Sequence, residues 1–375
     1  MNMKSVLLIT AFLLATSPSL FTERLFAQRV GELWWYAYPF EAEAIRLGGA
    51  YTAVGRGLAS MHSNSAALGF QEGAQVLYSS GRSFEWPDAE FNYAYDIAAA
   101  VHIPGWRTTL GISLDADKQI YESNDTNEPF LFHIKDRLFG IHLARRMTDW
   151  LSLGLAIRRY EYAFEEASYA RERAIGTAVG WDLSVSANGR HKATLIGRPS
   201  DEIRYGFTAD NILGTRIWFT DESHTYPLHQ TLRFGTAYLW RPEWCRIWNA
   251  DLFTGLVTVE SSLQGTDHEF RTWGTIGGGA ELRILEVLMI SAGVENIMRL
   301  GNRIVQWPEY PVFRYGAGLD IPLHRLLDMD IPFALQLDYA HTVWNDDVNE
   351  SGHWDPDKHT QQVNAFSVQL RTEFF

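Results

Sequence analysis

Residues that could carry chemistry concentrate in an acidic stretch near the C-terminus. The sequence WNDDVNESGHWDPDKH, residues 344–359, holds five carboxylates and two histidines. Oxygen-rich loops can bind calcium, but this spacing matches no EF-hand, so the stretch is interpreted as a solvated loop. No Gly-x-Ser-x-Gly or P-loop motif occurs, and the only cysteine, Cys245, is interpreted as a small apolar side chain. The sequence therefore predicts no enzyme, no metal site and no cofactor.

A second group of charged and polar side chains stands at alternate positions within apolar runs. The runs LSLGLAI, residues 151–157, and FALQLDYA, residues 333–340, both alternate with period 2. Such alternation gives a strand one apolar and one polar face. In a membrane barrel the polar face points into the lumen, because charges are costly in lipid. The residues predicted to face the lumen are Arg158, Arg204, Asp210, Gln336, Asp338 and Arg371. They are interpreted as an interior ion-pair network, with a permeation path lined by them as the alternative.

The elements that must position these side chains are strands. Period-2 alternation recurs in about fourteen segments, and the connections between them are by turns short and long. Short turns at one end and long loops at the other are typical of outer-membrane barrels. The sequence predicts an all-β fold, a transmembrane antiparallel β-barrel of about 14 strands in the cell outer membrane. A secreted β-sandwich is the alternative.

Charge and targeting signals agree with export. The chain has 375 residues and a net charge of -13, which argues against nucleic acid or an anionic lipid surface as the main partner. Lys4 followed by a short apolar core at residues 6–14 is typical of a signal peptide. We expect three parts, a signal peptide at 1–27, an N-terminal plug at 28–72 and a barrel at 73–375, with outer-membrane lipid as a partner.

The stretch AIRLGGAYTAVGRGLASMHSNSAALGF, residues 44–70, is rich in small residues. Its glycines disfavour a helix, and small residues suit a chain that lies close to other backbone. We expect it to pack against the inner wall, with Asn64 hydrogen-bonding to backbone groups. The glycines at 277–279 are expected to mark either a bend or the place where this segment approaches a strand. An exposed flexible linker is the alternative.

This stretch resembles the N-terminal signature of the PorV/PorQ family, which is related to FadL-type channels for hydrophobic compounds. The matching positions are Arg46, Gly48, Gly49, residues 50–54, Asn64, Ala66 and Leu68. Ser65 and Ala67 stand where the family has Pro and Gly. The later stretches FTADNIL, residues 207–213, and LRFGTAYLW, residues 232–240, are also similar to family strands. The resemblance implies a small segment folded inside a fourteen-stranded barrel.

Two functions follow from the resemblance. The PorV/PorQ family implies a barrel that serves type IX secretion, with exported protein cargo or secretion components as partners. The related FadL type implies passive passage of a hydrophobic small molecule through a lateral opening. The secretion function is preferred on sequence alone, and a purely structural barrel is a third option.

Overall fold

The computed structural model describes residues 41–372 except for a set of short stretches. The stretches left out are 85–88, 123–130, 169–170, 194–200, 220–224, 229, 243–245, 248–249, 266–271, 301–304, 324–332 and 346–359. The expected signal peptide and most of the acidic stretch therefore lie outside the described residues.

Antiparallel strands form a closed barrel in which each long strand pairs with the next long strand along the chain and the first pairs with the last. The strands are β1 Ala74–Phe84, β2 Ala89–Ile103, β3 Thr108–Glu122, β4 Leu131–Arg146, β5 Leu151–Ser168, β6 Arg171–Lys192, β7 Glu202–Asp210, β8 Arg216–Phe219, β9 Thr225–Pro227, β10 Gln230–Trp240, β11 Arg246–Ile247, β12 Ala250–Asp251, β13 Phe253–Gly265, β14 Thr272–Ile284, β15 Leu288–Leu300, β16 Val305–Ile321, β17 Phe333–Asn345 and β18 Thr360–Thr372. The short strands β8 and β9 extend β7 and β10, and β11 pairs with β12 in a separate two-stranded ladder. The wall thus has fourteen strands, which confirms the predicted fold.

The apolar faces of the strands point outward. On β5, Leu153 and Ile157 are 45% and 46% exposed, whereas Ser152 and Ala156 are buried. This arrangement inverts that of a soluble protein and suits a wall in contact with hydrocarbon. The same outward pattern recurs around the barrel at Ile97, Ile112, Ile141, Val257, Ile290, Phe313 and Phe366. The fold and its apolar band confirm the predicted outer-membrane location.

Residues 41–71, here called the interior segment, precede β1 and are almost entirely buried. They contain two short helices, α1 (Ala42–Ile45) and α2 (Ser60–Ser63), and a 3₁₀ stretch at Ser65–Phe70. Leu47, Tyr51 and Val54 have no exposed surface. None of the helices in the described part of the chain is long and apolar enough to cross a membrane.

Candidate functional site: the interior segment and the lumen wall

The interior segment touches the wall backbone to backbone at a group of glycines. Gly48 has φ 72°, and a Cβ there would lie 2.6 Å from the carbonyl oxygen of Gly278 on β14. A Cβ on Gly279 would in turn lie 2.5 Å from the carbonyl oxygen of Leu47. Only glycine permits this approach from either side. The glycines at 277–279 therefore mark the contact with the segment, one of the two expected roles.

Gly49 is required for a different reason. It also has φ 72°, a conformation that side chains with a Cβ rarely adopt. The nearest atom to a Cβ there would be Nη1 of Arg314, at 2.9 Å. Because that atom ends a flexible side chain, the space could open more easily than at Gly48.

Asn64 ties two turns of the interior segment to the wall. Its Nδ2 donates to the carbonyl oxygens of Thr52 at 2.8 Å and of Ala187, on β6, at 3.0 Å. Its Oδ1 accepts from the backbone N–H of Ala66 at 3.0 Å. These bonds satisfy buried backbone groups whose desolvation would otherwise cost about 1–3 kcal/mol each.

Arg46 is fully buried and bridges the interior segment to two strands. Its Nη1 lies 2.5 Å from Glu281 on β14, and its Nη2 lies 3.3 Å from Asp338 on β17. Arg56 donates to both oxygens of Glu281 at 2.8 Å and to Glu43 at 2.5 Å. Burial alone would raise the pKa of Glu43, but Arg56 and Arg46 outweigh it and hold that pKa below its usual value.

The charges around Arg46 continue into a larger group with as many arginines as carboxylates. Arg283 lies 3.5 Å from Asp320, and Arg371 binds the same carboxylate at 2.6 Å. Gln336 donates to Glu43 at 3.1 Å and to Asp338 at 2.8 Å. We call this group the arginine–carboxylate network. Its members are Glu43, Arg46, Arg56, Glu281, Arg283, Asp320, Asp338 and Arg371.

A separate cluster lies on β5, β6 and β7. Nη2 of Arg158 donates to Asp182 at 2.8 Å, to Ser184 at 2.6 Å and to Asp210 at 2.7 Å. The hydroxyl of Tyr160 donates to Asp182 at 2.7 Å. All of these side chains are buried, so the guanidinium crosslinks three neighbouring strands from the inside.

The six residues predicted to face the lumen thus divide among three places. Arg158 and Asp210 belong to the β5–β7 cluster, whereas Asp338, Arg371 and Gln336 lie in or beside the arginine–carboxylate network. Arg204 donates to the carbonyl oxygen of Val54 in the interior segment at 2.5 Å. They make ion pairs and polar contacts, but not one continuous network.

A cavity of about 400 Å³ opens where strands meet the short turns. Its charged lining residues are Arg56, Arg204, Arg241, Asp251, Glu281, Arg283, Glu286, Asp320 and Arg371. Of the six predicted lumen residues, only Arg204 and Arg371 are among them. Such a lining favours water and ions over an apolar solute.

The described wall is interrupted between β6 and the strand formed by β7 and β8. Regular pairing with β6 stops at the Val185–Ala209 pair and resumes only at Val179–Trp218. The five β6 residues between these pairs have no ladder partner on this side. Asp182 of the β5–β7 cluster is one of them, so that cluster lies directly behind the interruption.

Asn211 shapes the loop that replaces the missing ladder. It has φ 51°, its Nδ2 donates to the carbonyl oxygen of Leu228 at 2.9 Å, and its Oδ1 accepts from the N–H of Thr215 at 3.0 Å. The neighbouring Ile212 and Leu213 are 42% and 65% exposed. The interruption is therefore lined by apolar side chains on its outer face.

Sequence reasoning missed several residues that hold the interior segment. Glu43, Glu281 and Arg283 complete the arginine–carboxylate network, but no motif marks them. The available signal was Glu43 three residues before Arg46, a spacing that brings the two side chains together on one turn of helix. Their partners lie more than two hundred residues away in the sequence.

Comparisons with known proteins show the fold. No protein-family model and no curated protein matches the chain. The solved structure of the Ralstonia pickettii toluene transporter TbuX is similar at TM-score 0.56 and 12% identity, covering 89% of this chain and 98% of that one. The Pseudomonas putida toluene transporter TodX gives TM-score 0.54 at 11% identity, with 94% and 100% covered. A Pseudomonas aeruginosa FadL homologue gives TM-score 0.50 at 12% identity, with 89% and 98% covered.

These similar structures are a FadL homologue and transporters, and they share this chain's barrel fold over nearly their whole lengths. The resemblance to the PorV/PorQ family rests on the sequence motifs alone.

Proposed function

We propose that the protein is an outer-membrane channel for the passive passage of hydrophobic small molecules. The observation that carries the proposal is a barrel of the FadL type whose axis is filled by the interior segment. Toluene transporters share this fold. The order of the two functions preferred on sequence alone is therefore reversed.

The packing of the interior segment supports a route other than a straight pore. Leu47, Tyr51 and Val54 have no exposed surface, and Arg46 is held by two strands. A solute that moved along the barrel axis would have to break these buried ion pairs, at a cost of about 3–5 kcal/mol for a single pair. A water-filled porin, in contrast, keeps its lumen open.

The interruption beside β6 supplies a candidate exit through the wall. Hydrogen bonds that replace the missing ladder include one from the N–H of Ile212 to the carbonyl oxygen of Leu183, at 3.0 Å, and one from Thr215 to Trp181. Because it has fewer hydrogen bonds, this interruption is easier to open than a regular ladder. A solute leaving here would pass directly into the hydrocarbon of the membrane.

An uptake assay tests the channel. The barrel is expressed in a host that lacks its own hydrocarbon channels, and uptake of labelled toluene is compared with uptake of a labelled sugar. We expect several-fold faster toluene uptake with no change for the sugar. Equal toluene uptake with and without the barrel would contradict the proposal.

A crosslink tests the exit separately. In a Cys245→Ser background, Leu183→Cys with Ile212→Cys places two thiols across the interruption. The matched control is Tyr78→Cys with Val368→Cys, which pairs outward residues across the regular β1–β18 ladder. Oxidation of the first pair should abolish toluene uptake and a reductant should restore it, whereas the control should change little. Unchanged toluene uptake after oxidation of the first pair would exclude this exit without contradicting the proposed channel function.

A role in type IX secretion is the second candidate. It is favoured by the match of Arg46, residues 48–54 and Asn64 to the PorV/PorQ signature. Deletion of the gene in its native host separates the two functions. Loss of exported proteins from the cell surface would favour secretion, and reduced toluene uptake with normal surface proteins would favour the channel.

A further inference from the structure

A second charged cluster joins the interior segment to β2 and β3, and its charges do not balance. It consists of Glu41, His62, Asp96 and Asp115, here called the His62 cluster. Glu41 and Asp96 are 1% and 0% exposed. Asp96 and Asp115 stand directly opposite each other on β2 and β3, and both are buried. Like charges directly opposite on neighbouring strands destabilise a sheet.

The carboxylates of the cluster share a single partner. Among the described residues, His62 is the one that lies within 4.0 Å of all three carboxylates and can become cationic. Arg233 acts on Glu41 only weakly, and its own ion pair is with Asp210 at 4.0 Å. Both oxygens of Glu41 and both of Asp96 are buried without a hydrogen-bond partner in the described part of the chain. Three buried carboxylates that share one partner are costly unless protons or a further cation neutralise them.

The distances around His62 fit metal ligands better than hydrogen bonds. Nε2 of His62 lies 3.3 Å from Oε1 of Glu41 and 3.5 Å from Oδ1 of Asp96. A charge-assisted hydrogen bond would be about 2.7–2.9 Å long. Two ligands bonded at about 2.0–2.1 Å to one tetrahedral zinc ion are about 3.3 Å apart. The ligand atoms of Glu41, His62 and Asp96 all lie within 4.8 Å of one another.

The second nitrogen of the imidazole also faces a carboxylate. Nδ1 of His62 lies 3.3 Å from Oδ2 of Asp115. Histidines that bind metals through one nitrogen usually donate the other N–H to a carboxylate, which fixes the tautomer and the ring orientation. Asp115 is the carboxylate beside Nδ1, and a shift of about 0.5 Å would bring it within hydrogen-bond distance for this role.

We propose that the His62 cluster binds one divalent transition-metal ion, of which Zn²⁺ is the type. The ligands are Glu41, Nε2 of His62 and Asp96, and Asp115 orients the imidazole. Glu41 immediately precedes α1 and His62 lies on α2, whereas Asp96 belongs to the wall. The ion therefore clamps two parts of the interior segment to β2. The sequence predicted no metal site because these ligands come from three separate stretches that match no spaced motif.

Metal titration of the full-length barrel tests the proposal. Protein without a polyhistidine tag is purified in detergent, stripped with EDTA, and titrated with ZnCl₂ in a calorimeter. We expect one ion per barrel. Glu41→Gln, His62→Gln and Asp96→Asn should each weaken the affinity at least tenfold.

Two matched controls keep the result specific. Glu260→Gln alters another buried glutamate that contacts the interior segment, through the N–H of Thr52 at 2.8 Å. His102→Gln alters a histidine at the end of β2, where its Nδ1 lies 3.0 Å from Thr109. Neither change should alter the affinity for zinc. Folding of every variant is checked by the gel mobility of unheated samples.

The wild-type protein alone can overturn the proposal if variants fail to fold. Absence of a stoichiometric zinc ion after titration and desalting would exclude the site, as would wild-type affinity in a folded His62→Gln barrel. X-ray absorption of the bound zinc gives an independent readout. A shell of N and O ligands at about 2.0–2.1 Å is expected, whereas a Zn–S distance of about 2.3 Å would place the ion at Cys245 instead.

Discussion

The interior segment meets the wall along two faces that differ in how charge is compensated. On the β14–β17 face, together with Arg371 on the adjoining β18, four arginines face four carboxylates, and Gly48 lies directly on the backbone of β14. Along β2–β3, three carboxylates surround a single histidine. On the first face the protein's own charges balance, so removing one of them should destabilise the protein. The second is incomplete, and removing a charge from it should relieve repulsion.

The backbone contact on the β14–β17 face should give the largest effect. Gly48→Val would force a side chain against backbone atoms at a position with φ 72°. We expect the amount of folded barrel in the outer membrane to fall at least tenfold, with a smaller loss for Gly49→Val. The measurement is the heat-modifiable band in membrane fractions.

Gly81→Val is the control for this experiment, because a Cβ on that β1 glycine would meet nothing closer than 3.8 Å. Normal levels of folded Gly48→Val barrel would show that the interior segment does not need its close contact with β14.

The balanced charges of the same face should give the next largest effect. Arg46→Met leaves Asp338 buried without its arginine partner and leaves Glu281 paired with Arg56 alone. We therefore expect a loss of about 3–5 kcal/mol in the free energy of unfolding. Urea unfolding in lipid vesicles measures it. Arg107→Met, at an exposed arginine in a turn, should change little. A loss below about 1 kcal/mol for Arg46→Met would mean that the network does not hold the segment.

The β2–β3 face should respond with the opposite sign. In EDTA, Asp96→Asn removes a carboxylate directly opposite Asp115, and we expect stability to rise by about 0.2–1 kcal/mol. With saturating zinc the same change should lower stability, because it removes a ligand. Unfolding curves with and without zinc measure both. The same sign under both conditions would contradict the contrast between the two faces.

An exposed ion pair at a turn outside the barrel should give the smallest change in the free energy of unfolding. Arg107 and Asp149 are 60% and 83% exposed and 3.7 Å apart. We expect Asp149→Asn to change the free energy of unfolding by less than about 0.5 kcal/mol, since exposed pairs are screened by water and salt. A larger change in the same urea assay would show that the differences between the two interior faces are not specific to burial.

Much of the wall could be predicted from sequence because each strand carries its own signal. The alternation in residues 151–157 shows which side chains meet lipid, and the structure exposes Leu153 and Ile157 accordingly. The contacts inside the barrel could not be predicted in this way. Arg46 and Glu281 are 235 positions apart in the sequence, and no motif beside either residue identifies the other.

His62 illustrates the same limit more sharply. It lies in the stretch SMHSNS, where the motif drew attention to Asn64 and not to the histidine two residues earlier. Its proposed role as a metal ligand depends on three carboxylates, which lie immediately before α1 and on β2 and β3. The interruption after Asp210 was equally hidden, because FTADNIL reads as a strand that continues beyond the point where the ladder stops.

The pairing of β1 with β18 also constrains the order in which the molecule can assemble. The hydrogen bond from the N–H of Ala74 to Thr372 joins residues 298 positions apart, so this seam is among the least local contacts in the chain. Contacts of such long range form late in folding because closing a long loop costs entropy. The interior segment is synthesised before every strand and must be inside the barrel when β1 pairs with β18. We therefore expect the barrel to form around an interior segment that is already in place. The pairing of β18 with β1 would then be the last step of assembly.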